Sequence, residues 1–185
     1  MVVVVVVVAT SFAVIVVGCR YLRERYRRLE CMENLHQLAR AFALYANDNT
    51  NRFPCGASSV FLNAAMQSEY QRSPEVLVCP SSNKKPAASF RDPNASDAAN
   101  VSYTQQVPPL NGKAMGLISG ADPNDVIFWD QGVAGRPCGS DGGKELSWTK
   151  LSNHRGDGGN VVFGDIHVAW CTTTPTNMTL GCLNP

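Results

Sequence analysis

The first seventeen residues of the chain form an apolar run without a charged residue. Thr10 and Ser11 are its only polar residues, and a run of this length lies near the minimum that crosses a hydrocarbon core of about 30 Å. Valine dominates the run, but lipid imposes a helix even on β-branched residues because every backbone N–H and C=O must be satisfied within the segment. The pattern predicts a membrane-embedded helix over residues 1–17.

The apolar run continues into an amphipathic segment. No proline or glycine occurs between Arg20 and Arg52, and apolar residues recur at steps of three and four, as on one face of a helix. Five arginines between residues 20 and 28 form a basic cluster, which we interpret as a solvated or headgroup-contacting face. The pattern predicts one continuous helix over residues 1–52, with a membrane or filament-core segment at 1–17 and an amphipathic part at 18–52.

Residues 53–185 are enough for one globular head with its own core. Short apolar runs bounded by Gly, Pro, Asn, Asp or Ser are typical of strands; they lie at residues 75–79, 101–103, 125–130, 160–165 and 166–170. The last two predict a hairpin that turns at Gly164 and Asp165. The predicted class is α+β, with a long N-terminal α-helix packed on a small antiparallel β-sheet head that has disulfide-stapled loops.

Composition restricts the function classes. Charged residues make up 17% of the chain, and 16 Lys+Arg against 15 Asp+Glu leave a net charge of +1. Because binding to nucleic acid depends on a basic excess, we expect no nucleic-acid partner. The chain contains no G-x-S-x-G, P-loop or paired-carboxylate motif, so we also expect no enzymatic activity and no catalytic residue.

The seven cysteines are many for a reduced cytosolic protein, and their spacing contains neither CxxC nor CxxCH. Cys19 lies at the membrane edge, and the others form an even set that suits a disulfide framework in an oxidising compartment. The favoured pairs are Cys171 with Cys182, which closes a C-terminal loop, and Cys55 with Cys79. Cys31 lies on the helix and could equally be free.

Other polar residues are candidates for ligand binding or modification. His154, Asp157, Asp165 and His167 are metal-ligand candidates because carboxylate and imidazole bind several divalent ions. A structural role for this segment is preferred, with His154 hydrogen-bonded to the turn backbone. No cofactor is expected; calcium is a minor alternative, although no regular loop of oxygen ligands is present. Three glycosylation sequons fall in polar loops, at Asn94, Asn100 and Asn177.

Several blocks of the sequence resemble a known family. Residues 31–54 resemble the helix end of type IV pilin-like proteins and type II secretion pseudopilins, particularly the group with a prepilin-type H-X9-DG segment. That group often has Cys-Pro-Ser after a short strand, as at residues 79–81, and a strand ending in Asp, as at 128–130. Its name-giving motif resembles residues 154–168. Two departures are Ile166, where the family has Gly, and Val5, where mature pilins usually have Glu.

The resemblance implies a structural subunit of a type IV pilus-like filament. Its partners would be copies of itself in a helical homopolymer, the membrane before assembly, and the family's assembly motor and prepilin peptidase. The protein would lie in the inner membrane before assembly and in an extracellular cell-surface filament afterwards. A type II secretion pseudopilus component is a related alternative. The filament core is expected to include Val2, Val5, Val8, Phe12 and Ile15.

The main alternative from another class is a membrane-tethered or lipidated periplasmic binding domain that does not polymerise. Residues 16–19 resemble a lipobox with Cys19 as the lipidated residue. A ligand surface would be formed by Tyr103, Trp129, Trp148 and Trp170. Such aromatic residues more often belong to a core than to a ligand platform, which favours the filament interpretation.

Overall fold

The computed structural model describes residues 1–51, 53, 70–71, 73–92, 97–105, 122–134 and 146–175. Helix α1 spans Val2–Asp48, a 3-10 turn spans Pro74–Leu77, and the short helix α2 spans Asp97–Asn100. The strands are β1 (Tyr103–Gln105), β2 (Val126–Asp130), β3 (Val133–Ala134), β4 (Ser147–Trp148), β5 (Gly159–Phe163) and β6 (Val168–Cys171). The predicted α+β class, with one long N-terminal helix and a small antiparallel sheet, is confirmed.

Helix α1 contains 47 residues and is about 70 Å long at 1.5 Å per residue. Its second half follows the predicted apolar face, and its buried residues are Cys31, Leu35, Leu38, Ala39, Ala41, Phe42 and Ala46. The helix ends at Asp48, short of the expected boundary at residue 52. Thr50 and Asn51 have positive φ angles of 55° and 57°, which are incompatible with continuing a right-handed helix.

The main sheet has the order β1-β2-β5-β6, and every neighbouring pair is antiparallel. It packs on the second half of α1, where the Phe42 and Phe128 ring centroids lie 4.9 Å apart. Strands β3 and β4 form a separate two-stranded sheet. A second apolar cluster joins Trp148 of that sheet to Trp129 and Val161 of the main one. Strand β2 is therefore buried on both faces.

Two local predictions have different outcomes. The hairpin of β5 and β6 is confirmed, and Ile166 in its turn has a φ of 65°, the left-handed conformation that usually favours glycine. Residues 75–79, in contrast, do not form the predicted strand. Pro74 occupies the start of a 3-10 turn, and the Ser73 hydroxyl accepts a hydrogen bond from the Glu75 N–H at 3.4 Å. Because these residues cap a turn, the segment forms a turn instead of the strand that its apolar pattern predicted.

Two glycines, Gly132 after β2 and Gly156 before β5, should respond differently to substitution by alanine. Gly132 has a φ of 99°, and a Cβ there would lie 2.1 Å from the Cα of Ser152; Gly156 has a φ of 91° but 3.4 Å to its nearest neighbour. We expect Gly156→Ala to lower the free energy of unfolding by about 1 kcal/mol through backbone strain. Gly132→Ala adds a backbone clash and should lower it by about 3 kcal/mol or more. Urea unfolding of both full-length variants tests this, and equal losses would contradict the steric explanation.

Candidate functional site

The first half of α1 presents an apolar surface to its surroundings. The expected filament-core residues are 62–77% exposed: Val2, Val5, Val8, Phe12 and Ile15. The hydroxyls of Thr10 and Ser11 donate to the Val6 and Val7 carbonyl oxygens at 3.0 and 2.8 Å, so they need no partner outside the helix. By length and composition this helix is apolar enough to cross a membrane.

One arginine of the basic cluster turns toward the head. Arg28 forms an ion pair with Asp157, and its guanidinium lies 4.5 Å from the centroid of the Trp170 ring. Trp170 contacts the His154 ring edge to face, with 5.1 Å between the centroids. Arg28 therefore belongs to the contact between helix and head, whereas Arg20 and Arg23 are exposed, as expected for a solvated face.

Four buried side chains converge behind this contact. Cys31 lies on α1, Cys79 follows the 3-10 turn, Asp130 ends β2, and His154 lies in the turn between β4 and β5. Each is at most 1% exposed. One sulfur, nitrogen or oxygen atom from each lies within 4.8 Å of the other three. These four residues are called the buried cluster below.

The closest distances within the buried cluster are those of direct polar contact. The Cys79 Sγ lies 3.6 Å from the His154 Nε2, which lies 3.3 Å from the Asp130 Oδ2. The Cys31 Sγ donates to the Asp130 Oδ1 at 3.1 Å. The cluster therefore joins the long helix to three separate segments of the head.

Further polar groups surround the Asp130 carboxylate. The Asn160 backbone N–H and Nδ2 donate to its Oδ2 at 2.7 and 3.1 Å, and the Asn153 Nδ2 donates to its Oδ1 at 2.9 Å. The Asn153 Nδ2 also donates to the Ser102 carbonyl oxygen at 2.7 Å. These donors compensate the burial of a negative charge, which is costly without partners.

Glu24 of α1 contacts the Nδ1 edge of the His154 ring. Its Oε1 lies 3.0 Å from the His154 Nδ1 and accepts a hydrogen bond from the Ser81 hydroxyl at 2.9 Å. The Tyr103 hydroxyl lies 3.6 Å from the Cys31 Sγ. The His154 carbonyl oxygen accepts a hydrogen bond from the Asp157 backbone N–H at 3.2 Å, as the sequence interpretation preferred, while the His154 ring contacts side chains on both edges.

These surroundings change how readily the buried groups ionise. Burial lowers the pKa of His154, but the hydrogen bonds to Asp130 and Cys79 outweigh that effect and raise the pKa to about 10. Burial raises the pKa of the Cys31 thiol well above its usual value. The hydrogen bond with Cys31 lowers the pKa of Cys79 to about 7. At neutral pH the Cys79 thiol is therefore partly ionised and lies beside a positively charged imidazole.

Of the four metal-ligand candidates from the sequence, His154 lies in the buried cluster and the other three lie elsewhere. Asp165 pairs with His167 in the exposed turn between β5 and β6, and the His167 ring stacks on Phe163 with centroids 4.5 Å apart. Asp157 contacts Arg28 instead. The structure thus brings Asp165 and His167 together and directs Asp157 toward the helix.

The cysteine and glycosylation predictions fall partly on described residues. Cys79 lies in the buried cluster and Cys171 is half-buried on β6, while Cys55 and Cys182 lie outside the described residues. No disulfide joins the four described cysteines, so both predicted pairs stay predictions. The Asn100 Nδ2 donates to the Lys85 carbonyl oxygen at 2.9 Å. Asn94 and Asn177 lie outside the described residues.

Comparison with known proteins adds no identification. No family model matches the chain, and no curated protein or solved structure is significantly similar to it.

The network around Asp130 predicts a large effect of a small change. In Asp130→Asn, an amide NH₂ replaces one carboxylate oxygen and faces donors instead of accepting from them, so we expect the free energy of unfolding to fall by about 2–4 kcal/mol. Asp157→Asn is the matched control. Its carboxylate is largely exposed, so loss of that ion pair should cost about 1 kcal/mol or less. Chemical unfolding measures both, and similar losses would show that burial of Asp130 is not decisive.

Proposed function

We propose that this protein is a structural subunit of a type IV pilus-like filament that assembles through the first half of α1. The observation that carries the proposal is the division of one helix into two surfaces. From Cys31 onward α1 is built into the core of the head. Residues 2–15 of the same helix are exposed and apolar, with no element of the described chain packed on them.

Assembly into a filament would keep this apolar surface out of water. An exposed apolar surface of this size requires either lipid or other apolar helices around it. When identical helices replace lipid as neighbours, the apolar area stays out of water, and packing between helices supplies the association energy. A head-to-tail contact repeated by a screw operation gives an open filament. The heads would then cover its outside.

Residue 5 bears on how neighbouring subunits would be aligned in such a filament. Mature pilins usually have a glutamate there, which in that family is thought to pair with a neighbour's terminal amine. Val5 carries no charge, so the proposed filament would depend on apolar packing alone in this region. The proposal includes the inner membrane before assembly, the cell surface afterwards, and an assembly motor and prepilin peptidase as partners. A type II secretion pseudopilus would use the same surface.

The burial of aromatic residues favours the filament over a tethered binding domain. Tyr103, Trp129 and Trp148 are 2%, 1% and 9% exposed. They are core residues and cannot form the ligand surface that the binding-domain hypothesis needs. Trp170 is only partly buried, but it contacts the Arg28 guanidinium and the edge-to-face His154 ring within the contact between helix and head.

A charge in the apolar surface tests the proposal. Val8 is 63% exposed, and Val8→Glu would place a carboxylate among packed helices, where its desolvation is costly. We expect electron microscopy of material sheared from producing cells to show filaments of the unmodified protein and none of Val8→Glu. Val8→Leu keeps the surface apolar and should retain filaments.

Mass spectrometry of the sheared material must identify this protein as the main component. Normal filaments from Val8→Glu would contradict assembly through the helix. Absence of filaments from the unmodified protein, with a diacylglycerol group on Cys19, would instead support the tethered domain.

A further inference from the structure

The buried cluster contains four side chains that could serve as the ligands of a compact transition-metal site. We propose that Cys31, Cys79, Asp130 and His154 bind one divalent metal ion of the zinc class, with two sulfur ligands, one nitrogen and one oxygen. The site would be structural because all four positions of a tetrahedron are taken by protein ligands. It is independent of the filament proposal, since metal binding can be measured without assembly.

The distances support four-coordinate geometry. In a tetrahedral zinc site with Zn–S of about 2.3 Å and Zn–N of about 2.0–2.1 Å, neighbouring ligand atoms lie about 3.3–3.8 Å apart. The Cys79 Sγ and His154 Nε2 are 3.6 Å apart, and the His154 Nε2 and Asp130 Oδ2 are 3.3 Å apart. Both distances fall in the tetrahedral range. The longest distance between any two of the four ligand atoms is within 4.8 Å, so a small inward shift completes the site.

Groups outside the four ligands have the arrangement that metal ligands usually require. A metal-bound histidine typically donates its other ring N–H to a carboxylate, and the His154 Nδ1 lies 3.0 Å from the Glu24 Oε1. With an ion bound, that contact would keep the remaining ring proton on Nδ1 and leave the Nε2 lone pair for the metal. Asn153 and Asn160 orient the Asp130 carboxylate, and the Tyr103 hydroxyl lies 3.6 Å from the Cys31 sulfur.

The donor set selects the class of metal. Two thiolates and an imidazole favour zinc-class ions, while calcium requires six to eight oxygen ligands, more than the described residues around the buried cluster offer. A bound ion would need both cysteines as thiolates and a free lone pair on the His154 Nε2, so binding would release to solvent the Cys31 proton and the proton between the Cys79 Sγ and the His154 Nε2. The ion's two positive charges would replace those two protons among the buried groups. The proton and charge changes therefore balance without any redox step.

The first test measures metal in the full-length protein, purified in detergent without a histidine tag. We expect about one equivalent of zinc per chain by elemental analysis. Replacement by Co²⁺ should give a thiolate-to-cobalt charge-transfer band and the intense visible bands of tetrahedral cobalt. Cys79→Ser should abolish both signals, whereas Cys171→Ser, which removes a cysteine outside the cluster, should retain them.

A second variant keeps the test valid if Cys79→Ser does not fold. Glu24→Gln leaves all four ligands in place and removes the charge behind His154, so the apparent zinc affinity should fall by about 10- to 100-fold in competition with a chelator. A metal-free protein with a Cys31–Cys79 disulfide, seen in the mass of a non-reduced peptide, would overturn the proposal. So would a cobalt spectrum without thiolate bands, or zinc retained by folded Cys79→Ser.

Discussion

The carboxylate of Asp130 is the constraint around which the head is built. It is fully buried and accepts hydrogen bonds from the Asn153 and Asn160 side chains and from the Asn160 backbone. A buried charge that loses its partners costs several kcal/mol, so the segments that supply those partners must stay together. Through His154 and Cys31, the same requirement extends to helix α1. Satisfying this charge therefore constrains the position of the helix on the head, together with the apolar core around Phe42.

Helix α1 keeps one backbone conformation while its surroundings change completely. In its second half, Leu35, Leu38 and Phe42 pack on the sheet and the 3-10 turn. The change occurs at Glu24 and Arg28, whose side chains reach the head and remain about 30% exposed. Polar contacts thus mark the boundary between the part of the helix that stabilises the head and the part left for another apolar partner.

Sequence patterns predicted the elements whose causes are local. The apolar run and the three-four spacing predicted α1, and the two apolar runs that meet at Gly164 and Asp165 predicted the hairpin. The buried cluster could not be derived in this way, because its members come from four segments far apart in the chain. In the sequence, Cys79 and Asp130 are distinguished only by the family resemblance, and His154 by its motif. Only the fold shows that they share one interior.

The same reasoning explains the errors in detail. The apolar residues at 75–79 satisfied a strand pattern, yet Val76 and Leu77 reach the core from a turn. The predicted bond of His154 to the turn backbone exists through its carbonyl oxygen, but its ring, for which no side-chain partner was predicted, faces Glu24 and Asp130. In both cases tertiary contacts, which a one-dimensional pattern does not contain, decided the outcome.

The position of the buried cluster also has a mechanical consequence. Cys31 lies on α1 after the exposed segment and at the start of the buried half. A pull along the helix axis would load the contacts of Glu24, Arg28 and Cys31 in shear before it reached the apolar core around Phe42. The polar contacts of these three residues would bear the load together, and contacts that share a load resist shear better than contacts that open one at a time. The head would then stay attached to its helix when the helix is under tension.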